Sequence, residues 1–119
     1  MSVIPVIALL VTAGVHAIPA SLLLRPHGME NLYGGSSLTP EMVLLLRHRA
    51  GGFATLVVMS VVALFVQPWR TPVLIFALGS VALFVVLWWR SDVRTPAMDR
   101  VAYADMALLP VIVAGLALS

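Results

Sequence analysis

Residues 71–89, TPVLIFALGSVALFVVLWW, form an uncharged apolar run that ends in two tryptophans. A bilayer core of about 30 Å is crossed by roughly 20 apolar residues of helix. Runs of comparable length occupy residues 3–24, 50–66 and 101–118. None of the four runs alternates polar and apolar residues with a period of two, which excludes the strands of a membrane barrel. The sequence therefore predicts an all-α, polytopic membrane protein, a bundle of four transmembrane helices.

The composition agrees with this prediction and limits the function. The mean hydropathy is +1.07 and 61% of the residues are hydrophobic, a composition that is hard to keep in water. We expect a single domain over residues 1–119, with helices at about 3–24, 41–66, 71–89 and 98–118. Because four such helices enclose little interior, we also expect a homo-oligomer. The chain has no cysteine, which excludes disulfides, thiolate nucleophiles and cysteine metal sites.

All seven basic residues are arginines at the ends of the apolar runs. Six of them lie around the first and third connections and one near the second: Arg25, Arg47, Arg49, Arg90, Arg94 and Arg100 against Arg70. A nucleic-acid interface would need a basic soluble face, so we expect membrane lipids and no nucleic acid as partners. The positive-inside rule predicts that the first and third connections are cytoplasmic and that both termini are external.

The second helix has a clear start signal. Thr39 is suited to the N-cap, Pro40 to the first helical position and Glu41 to the first turn. Small residues follow at positions 50–52 and 54, and we expect them to allow close approach of a neighbouring helix. Such an approach would support an inward-facing arginine.

Five ionisable residues fall inside or at the edge of the apolar runs, all in the predicted cytoplasmic half: His16, Asp105, Arg47, Arg49, and His48 between the two arginines. Insertion of a charged residue at a helix centre costs about 2.5–3.5 kcal/mol. Such residues usually face the bundle interior and pair with one another. We therefore expect His16, Asp105 and one arginine to converge in one place.

Two readings stay open for each of the main residues. Asp105 is expected to pair with Arg47 or Arg49, either for chemistry or as an ion pair that fixes helix four against helix two. His16 either hydrogen-bonds the backbone of a neighbouring helix or transfers protons. No metal or cofactor is predicted, with a haem ligand at His16 as the minor alternative. Arg47 and Arg49 lie about 200° apart on a helix, so only one faces inward, and Arg49 is preferred because it lies deeper.

The order of several short motifs resembles a group of small four-helix bacterial membrane proteins. The motifs are GVHAIP at 14–19, LYG at 32–34, LLRHRA at 45–50 and RVAYAD at 100–105. The resemblance implies this architecture, shared polar positions and a bacterial inner (cytoplasmic) membrane. Members often carry the automatic label phosphopantetheine adenylyltransferase. That chemistry needs a soluble α/β nucleotide fold and a paired-histidine motif, and this chain has neither.

The leading hypothesis for function is a polar pocket in the membrane that binds a lipophilic small molecule or acts on it by acid–base chemistry, as in isomerisation or hydration. His16, Asp105, Arg49 and His48 would do the chemistry, and the ligand would contact Arg47, Tyr33 and Tyr103. Histidine or aspartate would move the proton, and arginine would stabilise negative charge. The alternatives are a small oligomeric transporter or channel subunit, and a structural or accessory subunit. Whether the protein is an enzyme stays open.

Overall fold

The structure, a computed structural model, describes residues 2–24, 39–92 and 95–119. These residues form four long helices, which we number α1 (Ile4–Ala20), α2 (Pro40–Phe65), α3 (Arg70–Arg90) and α4 (Pro96–Ala117). A 3₁₀ turn at Ser21–Leu23 follows α1, and another at Gln67–Trp69 joins α2 to α3. The described part of the chain is therefore all-helical. Each of the four helices is long and apolar enough to cross a membrane, by length and composition.

The helix starts follow from the local sequence. Thr39 caps α2 by accepting a hydrogen bond from the Met42 backbone N–H at 3.2 Å, as its place before Pro40 predicts. Thr95 caps α4 in the same way, through the Met98 N–H at 3.2 Å. Since Pro96 follows this second cap, α4 begins two residues before the predicted start at 98.

Helix α1 is shorter than predicted. It ends at Ala20 rather than at 24, and Ser21–Leu23 continues it as a 3₁₀ turn. Pro19 lies in the last turn and has no N–H to donate, which weakens the α-helical hydrogen bonding there. The first apolar run is therefore a shorter α-helix with a tightened end.

Helices α1 and α4 approach each other closely at Gly115. A Cβ added to Gly115 would lie 2.6 Å from the Ala8 Cβ and 3.4 Å from the Leu74 Cδ1. Small residues at such a crossing let two helix backbones approach. Of the small residues of α2 expected to allow close approach, Ala50 is buried against Leu22, whereas a Cβ at Gly51 or Gly52 would meet no atom within 4 Å.

An apolar core fills the middle of the bundle, next to this crossing. Its largest fully buried side chains come from all four helices: Leu9, Leu56, Leu74, Leu108 and Ile112. Helix α1 packs along α2 and α4, and α3 packs along α4, whereas α2 and α3 make few contacts. The bundle is consequently open between α2 and α3.

The two ends of the described chain lie at one end of the bundle. There the Thr71 hydroxyl donates to the Ser119 hydroxyl at 2.8 Å. Arg70 donates to the Ala63 and Leu64 carbonyls at 3.0 and 2.8 Å. These carbonyls belong to the last turn of α2, whose C-terminal partial negative charge favours a cation. Arg70 therefore caps α2.

The outer surface of the helices is largely apolar. Large exposed hydrophobic side chains occur on every helix, among them Ile18, Leu45, Val58, Phe65, Ile75, Leu83, Leu87, Trp89 and Val113. Soluble monomers rarely expose apolar surface on this scale. Apolar side chains thus cover the outside of the bundle and also fill its core.

Candidate functional site

His16 lies in the last turns of α1 and is 3% exposed. Its Nδ1–H donates to the Thr12 carbonyl of the same helix at 2.8 Å. This bond is to its own helix, not to a neighbouring one as one sequence reading expected. A neutral ring that donates through Nδ1 keeps a lone pair on Nε2. The ring also packs against Phe53 of α2, with 5.3 Å between the ring centroids.

Arg49 of α2 is half-buried and lies against two aromatic rings. Its guanidinium carbon is 5.0 Å from the Phe53 ring centroid and 4.7 Å from the Phe84 ring centroid. Phe53 is four residues further along the same helix, and Phe84 comes from α3. Cation–π contacts of this kind stabilise a cation that is partly withdrawn from water. Two aromatic side chains therefore position the arginine.

Asp105 of α4 is 7% exposed and completes the cluster. Arg49 interacts electrostatically with both Asp105 and His16. Within the described residues, Asp105 makes no direct ion pair with a nitrogen at 4.0 Å or less. The sequence predicted a direct ion pair between Asp105 and an arginine. In the structure the two charges interact over a longer distance, because the Arg49 guanidinium lies over the two phenylalanine rings.

Two cavities flank this cluster, which we call the polar centre: His16, Arg49, Phe53 and Asp105. The α2–α3 cavity has a volume of about 340 Å³ and the α1–α4 cavity about 350 Å³. All four residues of the polar centre line both cavities. The α2–α3 cavity is further lined by His48, Gly52, Leu56, Phe76, Ser80, Leu83, Phe84 and Leu87. The α1–α4 cavity is further lined by Val15, Ile18, Pro19, Arg100, Val101 and Ala104.

The remaining candidate residues lie apart from the polar centre. His48 is exposed and lines the rim of the α2–α3 cavity. Arg47 is exposed and lines neither cavity, because two residues of helix turn it away from Arg49. Tyr103 is 59% exposed and packs edge-on against Trp88, so it too lies outside both cavities. Tyr33 falls outside the described residues.

The structure adds residues that the sequence reading missed. Phe53 could have been found, because a position four residues after an arginine on a helix lies beside it. Phe84, Ser80 and Arg100 reach the cavities from other helices. No spacing along the chain identifies such neighbours.

A metal site has little support in this arrangement. Within the described ranges, no three His, Asp or Glu side chains come together.

A third cavity of about 530 Å³ lies at the opposite end of the bundle, beside Ser2, Gln67, Arg70 and Ser119. The apolar core separates it from the polar centre. The polar centre and the third cavity therefore lie in different halves of the bundle.

Comparisons of this chain with protein-family models, with curated proteins and with solved structures find no match. The four long apolar helices fit the architecture of the small membrane proteins that the sequence resembles. The class that the fold defines is an all-helical bundle of four span-length helices. Its function has to be argued from the polar centre itself.

Proposed function

We propose that the chain is an integral protein of the bacterial inner membrane whose polar centre binds a lipophilic small molecule and exchanges a proton with it. Four span-length helices and an apolar outer surface support the membrane location. Arg47, Arg90 and Arg100 lie towards the same end of the bundle, and Arg70 lies at the other end with the termini. By the positive-inside rule, both termini are external.

The observation that carries the proposal is the meeting of three ionisable side chains from three helices at apolar cavities. His16, Arg49 and Asp105 share two cavities whose other walls are mostly aliphatic and aromatic. Ionisable residues inside a membrane are expensive, and they are usually kept where they act on a ligand or an ion. An apolar pocket with a few convergent polar groups is the usual form of a small-molecule site.

The chemistry follows from the tautomer of His16. Because Nδ1–H donates to the Thr12 carbonyl, Nε2 is the ring atom that can take a proton from a ligand. Asp105 is the second group that can hold a proton at this site. Arg49 is fixed by its two aromatic neighbours and stabilises negative charge that develops on the ligand. Proton shifts of the isomerase or hydratase type need these three functions.

The ligand enters from the bilayer through the gap between α2 and α3. These two helices make few contacts, and the gap is rimmed by Phe76, Leu83 and Leu87. All three are large apolar residues, and each is more than half exposed. A lipophilic molecule can therefore pass from the acyl chains to the polar centre without crossing water.

The transporter reading remains the second candidate, because the polar centre touches cavities on two sides of the bundle. Two observations favour binding or catalysis over transport. Both cavities lie in the same half of the bundle, and the apolar core lies between them and the third cavity. A channel or carrier subunit would need a polar path past that core.

Photolabelling tests the site directly. The protein in lipid nanodiscs is irradiated with hexadecanol that carries a diazirine, with and without an excess of plain hexadecanol. We expect competition to remove the label from the rim residues Phe76, Leu83 and Leu87. Label on Val58, which is exposed on the outside of α2, should persist because bulk lipid contact does not saturate.

A pair of matched variants sharpens the result. Leu83→Trp fills the gap between α2 and α3 and should abolish the competable label, whereas Val58→Trp should leave it intact. Label that is equally uncompeted at the rim and at Val58 would contradict a specific site. It would favour the reading of a structural or accessory subunit.

A further inference from the structure

The α1–α4 cavity differs from the α2–α3 cavity in carrying a second cation. Arg49 lies at its inner wall, and Arg100, an exposed residue in the first turns of α4, lies at its rim. Apolar side chains from the two helices line the same cavity, among them Val15, Ile18 and Val101. The cavity is thus apolar along its walls and cationic at two points.

The guanidinium of Arg49 has N–H donors that can bind an oxygen acceptor. Its central carbon lies over the Phe53 and Phe84 rings, which take no N–H···O hydrogen bond from it. Among the described residues, no hydrogen-bond acceptor takes any of its five N–H groups. An arginine that is held by aromatic rings and has unused donors suits a carboxylate or phosphate, which it can bind in a bidentate way.

The charge balance of the cavity also favours an anion. Two arginines face one carboxylate, that of Asp105, and His16 carries no negative charge in either protonation state. The acid beside Arg100, Asp99, accepts a hydrogen bond from the Trp88 indole N–H at 2.8 Å, which engages it with α3. The cavity as a whole therefore carries a net positive charge.

From these contacts we infer that the ligand of the polar centre is a single-chain amphiphile with an anionic oxygen head, a carboxylate or a phosphate monoester. The head lies in the α1–α4 cavity between Arg49 and Arg100, beside His16 and Asp105. The tail passes the polar centre, which both cavities share, and lies along the apolar rim of the α2–α3 cavity. This inference rests on the proposed function and names the class of its ligand.

Competition in the photolabelling assay tests the inference. The competitors share a tail and differ in the head: palmitate, hexadecyl phosphate and hexadecanol, with acetate and inorganic phosphate as heads without a tail. We expect palmitate or hexadecyl phosphate to compete about tenfold better than hexadecanol, the size of one charge-assisted hydrogen bond. The better of the two identifies the head. Acetate and inorganic phosphate should not compete.

Three variants assign the effect to the cavity. Arg49→Gln and Arg100→Gln should each reduce the advantage of the anionic head by about tenfold. Arg47→Gln is the matched control, because it removes an arginine from the same helix that lines neither cavity. Arg100 is exposed, so its variant keeps the test valid even if Arg49→Gln does not fold.

The two proposals fail in different ways. Equal competition by all three tailed molecules, unchanged in Arg100→Gln, would overturn the anionic head and leave the lipophile site standing. A loss in Arg47→Gln equal to the loss in Arg100→Gln would also overturn it, since the effect would then be one of surface charge. Absence of competition by any tailed molecule would overturn the proposed function as well.

Discussion

The two halves of the bundle differ in the space around their helix glycines. In the half that holds the chain ends, Gly115 of α4 lies directly against Ala8 of α1, and an added Cβ would come within 2.6 Å of its neighbour. In the other half, a Cβ at Gly51 or Gly52 of α2 would meet no atom within 4 Å. The first half has no spare room for a methyl group at its crossing. The second half contains two cavities and the ionisable side chains.

The two halves therefore have different roles in the fold. Close packing of small and apolar residues fixes the helices relative to one another. With the helices held there, the other half can remain open and keep His16, Arg49 and Asp105 at cavities. The site is therefore built by the packing of residues that do not touch it. Variants in each half test this relation.

The largest effect on stability is expected at the helix crossing. Gly115→Ala places a methyl group against Ala8 and should lower the free energy of unfolding by about 1–3 kcal/mol, as overpacking of a close contact does. Thermal unfolding in a mild detergent measures the change. Because the crossing sets the spacing of α1 and α4, competable photolabel at the polar centre should weaken in the same variant.

Two controls separate the effect of the steric clash on stability from the effect of replacing a glycine. Gly79→Ala adds a methyl group where nothing lies within 4 Å, so it should leave stability unchanged or slightly raised. Adding Ala8→Gly to Gly115→Ala should recover much of the lost stability, since it removes the methyl group that the new one meets. A harmless Gly115→Ala would show that the two halves are packed alike.

A smaller effect is expected in the open half, at the contact between Arg49 and Phe84. A double-mutant cycle with Arg49→Met and Phe84→Leu should give a coupling of about 0.5–2 kcal/mol, the range of a cation–π contact. Unfolding of the four proteins in the same detergent provides the energies. This contact joins α2 to α3, which otherwise make few contacts.

The neighbouring arginine provides the reference for this cycle. Arg47→Met with Phe84→Leu should be additive, because Arg47 is exposed and turned away from α3. A coupling of zero for Arg49 as well would mean that the aromatic rings do not hold the guanidinium. The open half would then lack the positioned cation on which the ligand proposals depend.

Much of the fold was predictable from the sequence because its signals are local. Apolar runs, the Thr39–Pro40 cap and the arginines at the ends of the runs act within one helix each. Helix geometry indicated that only one of Arg47 and Arg49 faces inward, and the greater depth of Arg49 along the helix favoured it. Thr95 and Pro96 repeated the start signal, and attention to them would have corrected the start of α4.

The rest depends on contacts between helices. Phe84 meets Arg49 only because α3 packs on α4 and faces α2, and nothing in its own surroundings along the chain marks it. The glycines at 51, 52 and 115 look alike as sequence, yet of these three only Gly115 has atoms of another helix within 4 Å of an added Cβ. The replacement of the expected Asp105–arginine contact by aromatic stacking has the same origin.

The most direct test of the polar centre is the ¹⁵N spectrum of its histidine. The protein is labelled with ¹⁵N-histidine in nanodiscs, and His16→Gln identifies the His16 signals among those of the three histidines. With Nδ1–H bound to the Thr12 carbonyl, we predict that the His16 Nδ1 signal stays in place while the Nε2 signal shifts when palmitate or hexadecanol saturates the site. A His16 Nε2 signal that does not move while the same molecule competes for the photolabel would contradict the account.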